Sequence, residues 1–210
     1  TREAVAARSQ AAGDQTRLEQ LMRLEQVFPP GEQGLGYATG QMLNAMADLA
    51  NRPQDASSRE VVLARAQELA SRFATAGAQL DGLQTGVAQD IQNGIATVNV
   101  LTQRIADVND QIARLNGSGQ PPNDLLDQRE QLINELGGYL QVTTIAADDG
   151  TLGVFMGGGQ RLVLGKAATQ LAALPDAFDV SRVALGVVDK GIARAVPQAW
   201  LLENLRRAAR

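Results

Sequence analysis

The chain has 210 residues, a net charge of −4 and neither cysteine nor histidine. Disulfides, thiolate metal sites, cysteine nucleophiles, the Ser-His-Asp triad and the usual zinc ligand sets are therefore excluded. With 20% charged and 3% aromatic residues, the chain offers no basic surface and few stacking side chains, and no apolar run reaches the roughly 20 residues of a membrane span. We expect no cofactor, no nucleic-acid partner and no membrane partner.

The first fifty residues predict two helices. Apolar residues recur at helical spacing up to Phe28, so the second half of that segment is predicted to be helical. Prolines and glycines then interrupt the pattern in FPPGEQGLG. A short helix is predicted from about Gln41 to Ala50, with its apolar side chains on one stripe. The charged, alanine-rich start at Thr1 carries no signal-peptide pattern and suggests a fragment of a longer protein.

One very long helix is predicted from about residue 58 to residue 116. Ser57 is its expected N-cap, and Glu60 completes a capping box. A helix of this size is about 90 Å long at 1.5 Å per residue. Because each interior glycine costs roughly 1 kcal/mol relative to alanine, the glycines between residues 77 and 86 predict a kink or break.

The second half of this helix carries a heptad pattern. Its a and d positions are Val87, Ile91, Gly94, Val98, Leu101, Ile105, Val108, Ile112 and Leu115. Such a pattern favours a narrow seam against another long helix, either inside one bundle or on another subunit. Gly94 would let a partner backbone approach closely.

A return helix is predicted at residues 124–136, after a loop at 116–124. Asn123 or Asp124 is the expected cap, and Asp124 and Asp127 complement the helix dipole in the first turn. Arg129 falls in the middle of the apolar face, where a guanidinium needs a partner or a route to solvent. We interpret it as structural, either reaching solvent along its aliphatic stem or bound to a carboxylate or to helix-end carbonyls of a neighbouring element, because no nucleophile, metal cluster or phosphate loop accompanies it.

After residue 140, apolar residues no longer recur at the helical period of 3.6 residues and instead alternate with a period of 2, as in a strand. Two or three antiparallel strands are predicted around DDG and GGG, and a second β segment is predicted around DKG. The fold class is therefore mainly α with a small antiparallel β part. The predicted regions are a helical bundle at 1–140, β elements packed on it at 141–196, and a terminal helix at 197–210.

The order of several motifs resembles the flagellar hook-associated protein 1 family. The resemblance covers roughly residues 17–166 and rests on RLEQLMRLEQVF, LNAMADLANRPQDASSREVVLARAQELASRF, VNVLTQRIADVNDQIARLNGSG, PPNDLLDQREQLINELGGYLQV and DDGTLGVFMGGGQRLVLG. The family's terminal assembly helices have no counterpart in this sequence.

The resemblance implies a structural protein of the bacterial flagellum, without enzymatic activity. It implies a location outside the cell at the junction of hook and filament, reached without a cleavable signal peptide. The implied partners are the hook protein, a second junction protein, further copies in a ring formed by the full-length protein, and an export chaperone bound through the missing terminal region.

Two other classes of protein fit parts of the sequence. A helical signalling or sensor module would transmit motion along its coiled coil and pair as a stable dimer. A carboxylate-dependent cell-wall hydrolase would need two acidic residues facing each other across a cleft, with Asp124, Asp127 and Asp148 as candidates.

Overall fold

The computed structural model of the protein describes residues 2–115, 122–176 and 182–196. These residues contain four α-helices: α1 (Arg2–Val27), α2 (Leu35–Asn51), α3 (Ala56–Leu115) and α4 (Asn123–Leu136). The predicted terminal helix at 197–210 lies outside the described residues, and the predicted loop at 116–124 is described only from residue 122.

Within the described ranges, seven strands form two antiparallel sheets. The first sheet has the order β1-β2-β3-β4, with β1 at Val142–Ala146, β2 at Leu152–Met156, β3 at Gln160–Leu164 and β4 at Ala167–Ala168. The second sheet has the order β5-β6-β7, with β5 at Gln170–Pro175, β6 at Val183–Asp189 and β7 at Ile192–Ala195. The predicted mainly α class with a small antiparallel β part is confirmed.

Contacts divide the chain into two compact units. Unit 1 contains Thr1–Thr16 and Val87–Arg210, and unit 2 contains Arg17–Gly86. This division places a boundary inside the region at 1–140 that the sequence predicts as one helical bundle. Residues 56–86 of α3 belong to unit 2, and residues 87–115 belong to unit 1.

Three features of the helices differ from prediction. Helix α1 extends over Arg2–Val27, although only the second half of this segment was predicted to be helical. Helix α2 begins at Leu35, six residues before the predicted start. The predicted break in α3 at residues 77–86 is wrong, because the helix continues through these glycines. Propagation of a formed helix adds a hydrogen bond for each residue, and this outweighs the cost of isolated glycines.

The predicted Ser57 cap of α3 is also wrong. Asp55 precedes the first helical residue, and its Oδ1 accepts a hydrogen bond of 3.1 Å from the backbone N–H of Ser57. Its Oδ2 accepts a second bond of 2.7 Å from the Ser58 hydroxyl. These two bonds lower the pKa of the Asp55 carboxyl, with the Ser58 bond as the largest cause. An N-cap carboxylate also suits the positive end of the helix dipole.

In unit 2, an arginine on α3 binds the segment between α1 and α2. Arg72 Nη1 donates to the carbonyl oxygens of Glu32 at 2.8 Å and Gly34 at 3.2 Å, and Nη2 donates to Glu68 Oε1 at 2.7 Å. Gly34 is required by space, since a Cβ there would lie 2.3 Å from the carbonyl oxygen of Pro29. The path of this segment is therefore fixed by the hydrogen bonds to its carbonyl groups and by the lack of space for a side chain at residue 34.

The core of unit 1 joins the last part of α3 to α4 and to both sheets. Helix α3 contributes Leu101 and Ile105, α4 contributes Leu136, and the sheets contribute Leu162 and Leu171, all almost inaccessible to solvent. At about 25 cal/mol per Å² of buried apolar area, this cluster is the main source of stability in unit 1.

Candidate functional site

Two asparagines on α3 attach this helix to the two sheets of unit 1. Asn99 Nδ2 donates to the carbonyl oxygen of Leu171 at 2.9 Å, and the N–H of Leu171 donates to Asn99 Oδ1 at 2.8 Å. Leu171 lies on β5, the strand at one edge of the second sheet. The side-chain amide therefore pairs with this edge as a neighbouring strand would.

Asn109 makes the corresponding contact with the first sheet. Its Nδ2 donates to the carbonyl oxygens of Leu152 at 2.8 Å and Gly165 at 2.9 Å, while its Oδ1 accepts from the N–H of Leu152 at 3.1 Å. Leu152 begins β2, and Gly165 follows the last residue of β3. The Asn109 side chain is fully buried. A buried amide is tolerated at this position because both of its donors and its acceptor are used.

Arg129 connects α4 to Asn109. Its Nη1 donates to Asn109 Oδ1 at 3.1 Å and to the carbonyl oxygen of Gly150 at 2.8 Å. Burial lowers the pKa of the guanidinium, but arginine is not deprotonated in proteins. A cation is therefore held by two neutral oxygens, and none of the ion pairs among the described residues includes Arg129. The predicted ion pair of Arg129 is wrong, and the main-chain carbonyl that it binds lies in a turn between two strands instead of at a helix end.

The turn between β1 and β2 positions the carbonyl of Gly150. Asp149 Oδ1 accepts from the Thr151 hydroxyl at 2.6 Å and from the Thr151 N–H at 2.9 Å. These bonds lower the pKa of the Asp149 carboxyl, the hydroxyl bond most strongly. Gly150 has a φ of +81°, which favours glycine. The predicted DDG turn is thus present, and it presents an acceptor to α4.

The predicted cap of α4 is wrong. Pro122 occupies the N-cap position, and no side chain caps the helix. Its carbonyl oxygen accepts from the N–H groups of Leu125 and Leu126 at 3.0 and 3.1 Å. Asp124 lies in the first turn without a capping hydrogen bond. Asp127 lies further along α4 and lines an open groove with Arg8.

The predicted heptad seam is buried only in its middle. Val98, Leu101, Ile105, Val108 and Ile112 are in the core, whereas Val87 and Ile91 are each 37% exposed and Leu115 is 42% exposed. Buried Thr102, Ala106 and Asn109 widen the face beyond the a and d positions. The buried positions are covered by α4, which is the predicted return helix, and by the two sheets, instead of by another long helix alone. A sheet covers a wider strip than a single helix does.

Gly94 does not make the close backbone contact expected of it. A Cβ at this position would lie 3.9 Å from Cδ1 of Tyr139, which is an ordinary van der Waals distance. The neighbour is a side chain from the turn after α4, so alanine would fit here.

Sequence reasoning missed Asn99 and Asn109. Each follows a core valine of the heptad, Val98 or Val108, and this repeated Val-Asn pair on a helix was the available signal. The signal is weak because asparagine is common on exposed helix surfaces. Only the position of the sheets shows that these amides have main-chain partners.

The arrangement binds parts of the chain together and is unsuited to acid–base chemistry. Asp124, Asp127 and Asp148, the acidic candidates of the hydrolase hypothesis, are all exposed. Within the described ranges, no group of three or more acidic side chains could hold a metal ion. No helix in those ranges is long and apolar enough to cross a bilayer.

Comparison with known proteins places this fold in a family. The family model described as "Flagellar hook-associated protein FlgK helical domain" matches residues 21–199. Flagellar hook-associated protein 1 of Salmonella typhimurium is 32% identical over 186 residues, which cover 88% of this chain and 34% of that protein. The Escherichia coli protein of the same name has the same identity and coverage. The chain thus spans about a third of the length of these relatives.

A more distant relative and a solved structure agree. Flagellar hook-associated protein 1 of Bacillus subtilis is 27% identical over 128 residues, covering 60% of this chain and 25% of that protein. The flagellar hook junction protein FlgK from Burkholderia pseudomallei is 27% identical and has a TM-score of 0.87, over 95% of this chain and 36% of that chain. The match of its helical domain over residues 21–199 shows that this chain belongs to the flagellar hook-associated protein FlgK family.

Proposed function

We propose that this chain is part of a non-enzymatic structural protein at the hook–filament junction of the bacterial flagellum. Membership of the FlgK family supports the proposal, together with relatives named as hook-associated and hook junction proteins. In this role the protein would connect two stiff polymers by packing its helices against neighbouring subunits. Its location would be the flagellum outside the cell, reached without a cleavable signal peptide.

The observation that carries the proposal is the surface of unit 2. The buried apolar side chains of this unit are Val27 and three alanines, all small. Much larger apolar side chains remain exposed on its helices and, at Phe28, directly after α1: Leu18, Leu21, Met22, Leu24, Phe28, Tyr37, Leu43, Met46, Val61, Leu63, Phe73 and Leu80. We call these residues the unit 2 apolar surface. Exposure on this scale is typical of a protein–protein interface.

The proposed partners are other axial proteins of the flagellum. Those on either side would be the hook protein and the second junction protein, and further copies of the full-length protein would complete a ring. An export chaperone would bind a terminal region of the full-length protein. The heptad positions from Val98 to Ile112 would support this role by fixing the sheets to α3, so that load on the helix reaches a rigid core.

Deletion and complementation in a flagellated host test the proposal. The expected phenotype of deletion is intact hooks with flagellin secreted into the medium but not assembled. The full-length protein should restore filaments. A version with both Leu43→Asp and Leu63→Asp should fold and be secreted but fail to restore them, since these residues are 60% and 61% exposed and form part of the unit 2 apolar surface.

Ile192→Asp provides the matched control. Ile192 is 59% exposed and lies on β7 of unit 1, so the substitution removes an equally exposed apolar side chain outside the unit 2 apolar surface. Filaments should form with this variant. Normal filaments in the deletion strain, or full restoration by the Leu43→Asp, Leu63→Asp protein, would contradict the proposal.

A further inference from the structure

The chain contains four methionines, and they differ widely in exposure. Met22 on α1 is 47% exposed and Met46 on α2 is 43% exposed. Met42 on α2 is partly exposed, whereas Met156 at the end of β2 is 3% exposed and belongs to the core of unit 1. Since the chain has no cysteine, the methionine thioethers are its only sulfur groups. The two most accessible of them both lie in unit 2.

Each of these two methionines lies beside an exposed leucine of the same helix. Leu18 is four residues before Met22 on α1, and Leu43 is three residues before Met46 on α2. Side chains at these spacings are neighbours on one helix surface, and both leucines are more than half exposed. The two thioethers are therefore continuous parts of the unit 2 apolar surface instead of isolated side chains.

Oxidation would change the chemical character of this surface. We propose that Met22 and Met46 are sites of oxidation by peroxides to methionine sulfoxide, and that this modification blocks docking through the unit 2 apolar surface. The inference rests on the proposed function and adds a form of regulation at the same surface.

The reaction needs only the thioether and hydrogen peroxide. A lone pair of the sulfur attacks one peroxide oxygen, an S–O bond forms and the O–O bond breaks. The proton of the transferred oxygen passes to the leaving hydroxide, which is released as water. The sulfur loses two electrons and the peroxide gains them.

A sulfoxide is poorly suited to an apolar interface. Oxidation converts a flexible apolar side chain into a polar one, and burial of a polar group without a hydrogen-bond partner is unfavourable. Docking of unit 2 would bury two such groups. The modification therefore acts on the subunit before assembly, because docking would cover both sulfurs. The fold of unit 2 is spared, since neither Met22 nor Met46 belongs to its buried interior.

Peptide mapping by mass spectrometry tests the accessibility of the four sulfurs. The chain is treated with hydrogen peroxide, and sulfoxide formation is followed at each methionine. We expect Met22 and Met46 to be oxidised on the order of tenfold faster than Met156, because oxidation follows exposure, with circular dichroism unchanged at that stage. Equal rates at the three positions, or loss of helical signal when only Met22 and Met46 are oxidised, would overturn the proposal.

Variants of the full-length protein test the effect on docking. Met22→Gln combined with Met46→Gln places a polar side chain of similar length at both positions, and it should give several-fold fewer filament-bearing cells in the deletion strain. Met22→Leu combined with Met46→Leu is the matched control, because it stays apolar and cannot be oxidised. This control should restore filaments as the wild type does, and both purified variants should keep the wild-type circular dichroism.

Filament regrowth with hydrogen peroxide in the medium tests the modification itself. Cells that carry the leucine variant should form several-fold more filaments than cells that carry the wild-type protein. Equal sensitivity to peroxide, or full restoration of filaments by the glutamine variant, would overturn the role of oxidation. The proposed function would survive either result, since it fails only when the deletion strain keeps its filaments or when the Leu43→Asp, Leu63→Asp protein restores them.

Discussion

Arg129 on α4 donates a hydrogen bond of 3.1 Å to Asn109 on α3, and this bond joins the two helices. Asn109 binds the first sheet at the same position. Because the four partners of Asn109 are two carbonyls, one N–H and the guanidinium, its removal leaves several polar groups unpaired at once.

We predict that Asn109→Ala lowers the free energy of unfolding by about 3 kcal/mol, since each buried group left without a partner costs about 1–3 kcal/mol. Asn99→Ala removes two bonds at a less buried position and should cost about 1.5 kcal/mol. Urea unfolding followed by circular dichroism measures both values. Equal losses for the two variants would show that the extra partners of Asn109 contribute nothing.

Arg129→Met should lower the free energy of unfolding by about 1–2 kcal/mol, because it removes two hydrogen bonds but keeps an apolar stem of similar length. Combination with Asn109→Ala tests whether the two residues act together. The double variant should lose less than the sum of the single variants, by about 1 kcal/mol. Strict additivity would mean that the 3.1 Å contact is energetically irrelevant.

Two glycine substitutions should have opposite effects. Gly94→Ala should raise the free energy of unfolding by about 1 kcal/mol, since alanine is favoured in a helix interior and the new Cβ meets Tyr139 at an ordinary distance. Gly34→Ala should destabilise unit 2, because its Cβ would lie 2.3 Å from the carbonyl oxygen of Pro29. Thermal unfolding of the two variants checks both directions.

Acid should destabilise the start of α3. The pKa of Asp55 is lowered in the folded state by its bonds to Ser58 and Ser57. A lowered pKa stabilises the fold above the ordinary pKa of the carboxyl, about 4, and this contribution is lost as the pH falls through the folded value. Asp55→Asn keeps a capping side chain but cannot titrate. We expect its stability to depend less on pH between about 5 and 2 than that of the wild type, as measured by urea unfolding.

Arg72→Lys should loosen the segment between α1 and α2 without removing the charge. An ammonium group cannot reach the carbonyls of Glu32 and Gly34 while also binding Glu68, as the guanidinium does. Hydrogen exchange at residues 31–38 should become faster, with Arg59→Lys as a control variant on the same helix. Unchanged exchange in Arg72→Lys would show that the path of this segment is set by Gly34 alone.

The sequence was most informative where one physical period dominated. The heptad of α3, the apolar face of α4 and the turn residues of DDG and DKG predicted helices and hairpins that are present. Strand β5 was missed because its Ala-Ala-Leu-Pro composition has neither β-branched residues nor alternation. The main-chain partners of Asn99, Asn109 and Arg129 could not be predicted either, since their positions depend on how the sheets pack on the helices.

The bonds of Asn99 and Asn109 to the sheets end on backbone N–H and C=O groups, which every residue except proline possesses. The strands are thus free to exchange many of their side chains during evolution, provided that the path of their backbone is kept. The two amides on α3 have no such freedom. As far as these bonds are concerned, the side chains at Leu152, Gly165 and Leu171 can vary, whereas the asparagines that bind them cannot.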